Sequence, residues 1–190
     1  SFLIENGYID MGNQSMREQF FSGVLRAHEG PIYSFSFGTV DGHYYGARRN
    51  EENEIEIMRN DASTGGHSWY YSTSVDLKAT ELAVDVGSFD PRTRNWYKAA
   101  LEAKNPVFSP IYKHFVMDDL TVSAAWPIYD TNGELQGVLG SHMLLSDIES
   151  YLDDAVVNTD VQAIIFEQDS KELIASSMNA DIFTIQTDGE

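Results

Sequence analysis

Arg94, Trp96 and Tyr97 place a guanidinium, an indole and a phenol within four positions of one another. A guanidinium is a planar fork of donors that pairs bidentately with a carboxylate, and aromatic walls that keep water out strengthen such a pairing. The chemistry on offer is capture of a small acid. The same residues also read as plain structure, with Arg94 bound to one of the 30 acidic side chains and the two rings in the core. Aromatics crowd two other short stretches, Trp69-Tyr70-Tyr71 and Tyr44-Tyr45. There they serve either as a pocket wall or as sheet packing.

No catalytic apparatus accompanies these residues. The chain has no Gly-x-Ser-x-Gly elbow, no His-Glu-x-x-His and no phosphate-binding glycine loop before a helix. Asp130-Thr-Asn-Gly-Glu134 begins like a calcium loop, but its glycine stands fourth where an EF-hand needs it sixth, so it reads as a turn. His28, His43, His67, His114 and His142 share no short ligand spacing, and with no cysteine in the chain disulfides, thiolate nucleophiles and cysteine zinc sites drop out. No metal and no cofactor is expected. Twelve Lys and Arg stand against 30 Asp and Glu, a formal net charge of −18. That balance repels phosphate backbones and anionic membrane surfaces, which excludes nucleic acid as a partner.

The elements that must position these groups follow from pattern. Hydrophobic residues at 42% and charged residues at 22% describe a folded domain with a core. Met16, Phe20, Val24 and Ala27 recur at helical spacing with Phe21 and Leu25 beside them, Ser15 is placed as N-cap and Glu18 completes a capping box. Short aromatic-rich runs follow at Ile32–Phe37, His43–Arg49, Glu54–Arg59 and Ser68–Ser74, parted by turn residues. The Asp41-Gly42 pair marks the first two runs as a hairpin. Thr93–Ala103 reads as a helix bracketed by Pro91 and Pro106. Leu120–Tyr129 and Leu135–Met143 form a second hairpin around Asp130–Gly133, and Leu144–Asp153 a further helix. Gln162–Glu167 and Leu173–Ser177 look like the opening hairpin of another unit. The assembly is α+β: a mostly antiparallel sheet of about five strands with flanking helices.

Ser88-Phe-Asp-Pro-Arg-Thr-Arg-Asn-Trp-Tyr-Lys-Ala-Ala100 resembles the signature of the membrane-distal module of double Cache sensor domains. Ser109–Tyr112, Thr121–Tyr129 and Asp130–Gly140 then fall in the family's order, and Ala163–Ser177 is similar to the start of the membrane-proximal module. The resemblance implies a PAS-like fold with a long N-terminal helix. It divides the chain into an N-terminal helical region at 1–30, a distal ligand-binding module at 31–155 and an incomplete second PAS-like module at 156–190. It also implies the extracytoplasmic sensor of a membrane receptor, not an enzyme, with a histidine kinase, chemoreceptor or nucleotide cyclase output and a homodimer in the full receptor. No run reaches the roughly 18 to 20 apolar residues that span a bilayer, so the membrane is expected to be met only through helices outside this stretch. A ligand-free dimerisation or protein-docking module is the alternative.

By the same resemblance Arg94 is the ligand anchor, and Tyr112 and Ser123 match pocket-facing points; Trp96, Tyr97 and Tyr71 are wall candidates by residue type and placement. Amino-acid-binding members carry a tyrosine five positions before the arginine and two acidic residues downstream. Phe89, His114 and His142 stand at those points here. Two carboxylates would neutralise an ammonium group, whereas two histidines near their reference pKa of about 6.5 supply donors or a weak positive charge. The expected ligand is therefore a small carboxylate without an ammonium group. The plainer view keeps His142 as the end of a strand and His114 as a solvated loop residue.

Overall fold

The structure is a computed structural model that describes residues 2–28, 30–168, 171 and 173–178. A short helix α1 (Phe2–Glu5) and α2 (Gln14–Ala27) precede five strands, β1 (Ser34–Thr39), β2 (Tyr44–Arg49), β3 (Ile55–Asn60), β4 (His67–Thr73) and β5 (Ala79–Ser88). Helix α3 (Asn95–Ala103) and the two-residue strands β6 (Val107–Phe108) and β7 (Tyr112–Lys113) come next. The long hairpin β8 (Leu120–Tyr129) and β9 (Leu135–Leu144), then α4 (Leu145–Val156), β10 (Ile164–Phe166) and β11 (Leu173–Ser176), complete the described chain.

The main sheet runs β5-β4-β3-β2-β1-β9-β8-β6, with β7 also on β8 and every pair antiparallel. It has nine strands where about five are expected from the pattern. The surplus is the edge: β5 is largely exposed, with Val84 and Val86 alone turned to the core, and β6 and β7 are two residues each. The tight turns lie where Asp-Gly and Asn-Gly put them, with Gly42 at φ 89° and Gly133 at φ 85°. β10 and β11 pair as a separate two-stranded sheet. Of the 156–190 stretch, residues 169, 170, 172 and 179–190 lie outside the described residues.

Register sorts the side chains into two faces. Ser34 pairs with Arg48 and His142, Ser36 with Gly46 and Gly140, and Gly38 with Tyr44. Met58 pairs with Gly46 and Tyr70, and Ser123 with His142. This face carries α3 and a core of Tyr44, Met58, Tyr70, Trp96, Tyr97, Ala100, Ala125 and Val138. The opposite face packs Phe37, Tyr45, Ala47, Ile128 and Leu139 under Phe21 and Leu25 of α2.

Helix α2 departs from its expected faces. Asn13, not Ser15, caps it, its side-chain oxygen accepting from Met16 N at 3.1 Å. Glu18 is not spent on a capping box, because it accepts from Arg59 at 2.7 Å. The buried stripe is Arg17, Glu18, Phe21, Ser22 and Leu25, while Met16 is exposed. The sheet beneath presents charge as well as rings: Arg17 lies 3.8 Å over Tyr45 and 3.9 Å from Asp61. The N-terminal helical region is also divided, by a turn with Gly7 at φ 71° between α1 and α2.

Candidate functional site

Arg94 stands at the joint between a single 3-10 turn, Pro91–Thr93, and α3. Pro91 starts the turn and Asp90 caps it, which fixes the entry of the chain. The half-buried guanidinium carbon lies 5.7, 5.8 and 5.6 Å from the ring centroids of Phe89, Tyr112 and Phe115. The other arginines spend their donors: Arg17 on Asp61, Arg48 on Glu56, Arg59 on Glu18, Arg92 on Asp90, and Arg26 and Arg49 on backbone carbonyls. Arg94 has no hydrogen bond or ion pair from its side chain to any described residue. It faces a cavity of about 30 Å³ that Phe89, Trp96, Tyr112, His114 and His142 line with it.

Across the floor, Arg48 donates to Glu56 at 2.8 Å and stacks 3.6 Å over Tyr70, so its charge is matched within the fold. No Asp or Glu lines the cavity among the described residues. Two histidines do, and both are neutral at pH 7. His142 is pushed down to about 3 by burial, with His114 and Arg94 adding repulsion. His114 is pushed down to about 4 by burial and by Arg48 and Arg94. Neither supplies the weak positive charge expected from its reference pKa.

Each imidazole instead holds structure. His114 Nδ1 accepts from the backbone N–H of Val116 at 3.1 Å and Met117 at 2.9 Å, which folds the segment bearing Phe115 over the cavity. His142 contacts Ser36 Oγ through Nε2 at 2.8 Å and Ser123 Oγ through Nδ1 at 2.7 Å. Ser123 meets the Tyr112 hydroxyl at 2.7 Å, and burial pushes that phenol up to about 12.

The family model described as methyl-accepting chemotaxis protein-like, first PDC sensor domain, matches residues 45–150. The chain belongs to this family. No curated protein matches it. Among solved structures, this PDC sensor domain is similar to the ligand-binding domain of Pseudomonas fluorescens chemoreceptor CtaA in complex with L-serine (16% identity, TM-score 0.54, 92% of this chain and 61% of that one). It is also similar to that of the Pseudomonas aeruginosa PAO1 amino acid chemoreceptor PctC in complex with GABA (16%, 0.51, 86% and 56%). A third is the sensory domain of Campylobacter jejuni chemoreceptor Tlp3 (17%, 0.50, 92% and 54%). At these identities the likeness is one of fold, and the chain spans little more than half the length of those structures.

Within this PDC domain Arg94, Trp96, Phe89, Tyr112, His114 and His142 come together at one cavity. Ser123 lies directly behind them, wholly buried and bonded to Tyr112 and His142. Tyr97 does not line the cavity: it follows the helix to the other side of Trp96, packs against Pro91 and Gly38, and donates to Thr39 O at 3.4 Å. Tyr71 is absent too, because its place in β4 turns it to the opposite face, under Arg59 at 4.4 Å. Tyr33, Arg48, Met58 and Phe115 line the cavity without having been singled out in the sequence. Period two in β2 would have found Arg48, which shares a face with Tyr44 four positions before it.

Proposed function

We propose that this domain is the extracytoplasmic, membrane-distal sensor of a longer signalling receptor and binds a small carboxylate that carries no ammonium group. One observation carries the reading: Arg94, which has no hydrogen-bond or ion-pair partner for its side chain among the described residues, faces an aromatic cavity. Removing such a charge from water without a partner is costly, and a ligand carboxylate supplies the partner. With both histidines neutral and Arg48 matched by Glu56, the cavity asks for one negative charge. The relatives bound to L-serine and GABA make capture of a carboxylate the natural use of this fold. An ammonium group, however, would meet no acid on the cavity wall, a loss of several kcal/mol against a paired site.

The receptor is expected to act as a homodimer, with 156–190 opening a second PAS-like module. Titration calorimetry with acetate, propionate, glycine and L-alanine tests the ligand class. The two acids should bind and the two zwitterions should not, and Arg94→Ala should weaken acetate roughly 10- to 100-fold, the worth of one or two charged hydrogen bonds. Tight binding of L-alanine with propionate silent would overturn the proposal.

A further inference from the structure

Around Arg48 the cavity wall carries hydrogens that no described residue accepts. Tyr70 is 5% exposed, pairs with Met58 on the cavity face and lines the cavity. Its hydroxyl is bonded to no described residue, yet it is not among the sealed polar atoms of the core, so it opens onto the cavity. Arg48 lies 3.6 Å over the same ring, which sets the guanidinium beside that phenol. Both Nε and Nη2 of Arg48 go to Oε2 of Glu56, each at 2.8 Å, which leaves Nη1 to reach the Tyr33 hydroxyl oxygen at 3.4 Å.

Tyr33 lines the cavity too, and after accepting from Arg48 it holds an O–H with no described acceptor. His114, its ring centroid 4.9 Å from that of Tyr33, has its tautomer set by geometry. Nδ1 accepts from the backbone N–H groups of Val116 and Met117, so the imidazole proton is on Nε2, where no described residue takes it. Arg48 and this Nε2–H can only donate. A wall built this way calls for an oxygen that brings no proton of its own, because a donor set against it would leave hydrogens unpaired. The charge of Arg48 is already matched by Glu56, so that oxygen is an uncharged one: a second carboxylate would stand near Glu56 without a counter-ion.

We infer that the cavity takes a short 2-oxo carboxylate, its carboxylate on Arg94 and its carbonyl oxygen accepting from the Tyr70 and Tyr33 hydroxyls on the Arg48 wall. The inference rests on the reading above that an anion occupies Arg94. Arg94 and these donors line one cavity of about 30 Å³, which leaves no room for a long spacer, so the carbonyl adjoins the carboxylate.

Calorimetry with pyruvate against propionate, and 2-oxobutyrate against butyrate, exchanges a single CH2 for C=O. Each oxo acid should bind about tenfold tighter than its partner, the worth of one neutral hydrogen bond. L-Lactate, which carries a proton on the same oxygen, should bind more weakly than pyruvate. Tyr70→Phe breaks no hydrogen bond of the fold and should cut the pyruvate-to-propionate ratio to below about threefold while leaving propionate within about twofold, a selective change that a packing role would not produce. Pyruvate no tighter than propionate, or weaker than lactate, with binding still dependent on Arg94, would sink the carbonyl assignment and leave the anion reading standing. A ratio untouched by Tyr70→Phe would overturn the assignment as well. Silence from every acid in the set overturns the anion reading and this inference with it.

Discussion

Lowering the pH from 6 to 5 should destabilise the folded chain by about 2 kcal/mol through its two buried histidines. In the unfolded chain His114 and His142 take up protons near the reference value of about 6.5, whereas in the fold they are held down to about 4 and about 3. Between those limits unfolding binds protons, so stability is full above about 6.5 and is lost as the pH falls towards the folded values. Full uptake of one proton has a slope of about 1.4 kcal/mol per pH unit, and partial titration of the unfolded chain leaves about 1 kcal/mol per histidine over this step. Asp61 and Asp90 are held below the usual carboxylate range by their hydrogen bonds to Ser63 and Arg92, so they act in the same sense only at lower pH. Asp147, raised by burial and by Asp119, works in the opposite sense and subtracts from the effect. Urea unfolding followed by tryptophan fluorescence at the two pH values measures the sum. His142→Gln should remove about half of the loss. A midpoint that does not move between pH 6 and 5, or a His114→Gln/His142→Gln double variant with an undiminished slope, would refute the argument that both rings are buried neutral.

Glu56→Ala strips the counter-ion from Arg48 beneath the cavity, where both side chains are under a tenth exposed. Urea melts should show a loss of about 3 kcal/mol, since breaking a buried pair strands a charge. Asn13→Ala removes the α2 cap and should cost about 1 kcal/mol in the same assay, whereas Ser15→Ala should be neutral within a few tenths of a kcal/mol. Gly46→Ala drives a Cβ to 2.6 Å from Phe35 O and 2.8 Å from Ser36 Cα in the centre of the sheet. Its thermal midpoint should fall by several degrees, because backbone rather than a flexible side-chain end must give way.

What the sequence disclosed was local. Turns at Asp41-Gly42 and Asp130–Gly133, and the proline brackets of α3, are written in residues that lie beside one another, and the strands around them follow. The stripe that α2 buries was misplaced because its neighbours, Arg59 and Asp61, are 41 and more positions away and turn Arg17 and Glu18 inward. β5 is faint in the sequence because its alternation is short, Leu82, Val84 and Val86 only, and the rest of this edge strand is exposed and polar or small. Arg94 was visible as a cation among rings, but its lack of an acidic partner among the described residues depends on where distant carboxylates finally lie. The neutral state of His142 follows from its burial and from His114 and Arg94, and its ring is held by Ser36, 106 positions away; no local pattern carries such contacts.

Gly140 sits two places before His142 on the same strand face, and a Cβ built there would stand 2.7 Å from the ring nitrogen Nε2 and 3.3 Å from Trp96. The two sites thus share one parcel of space. A methyl at position 140 evicts the imidazole from Ser36, but it would sit comfortably beside a smaller residue at position 142. Substitutions at the pair cannot add, and their joint effect should be milder than the sum of the two taken singly. Descendants of this chain that abandon the imidazole are freed to fill the strand at position 140, and those that keep it must keep a glycine.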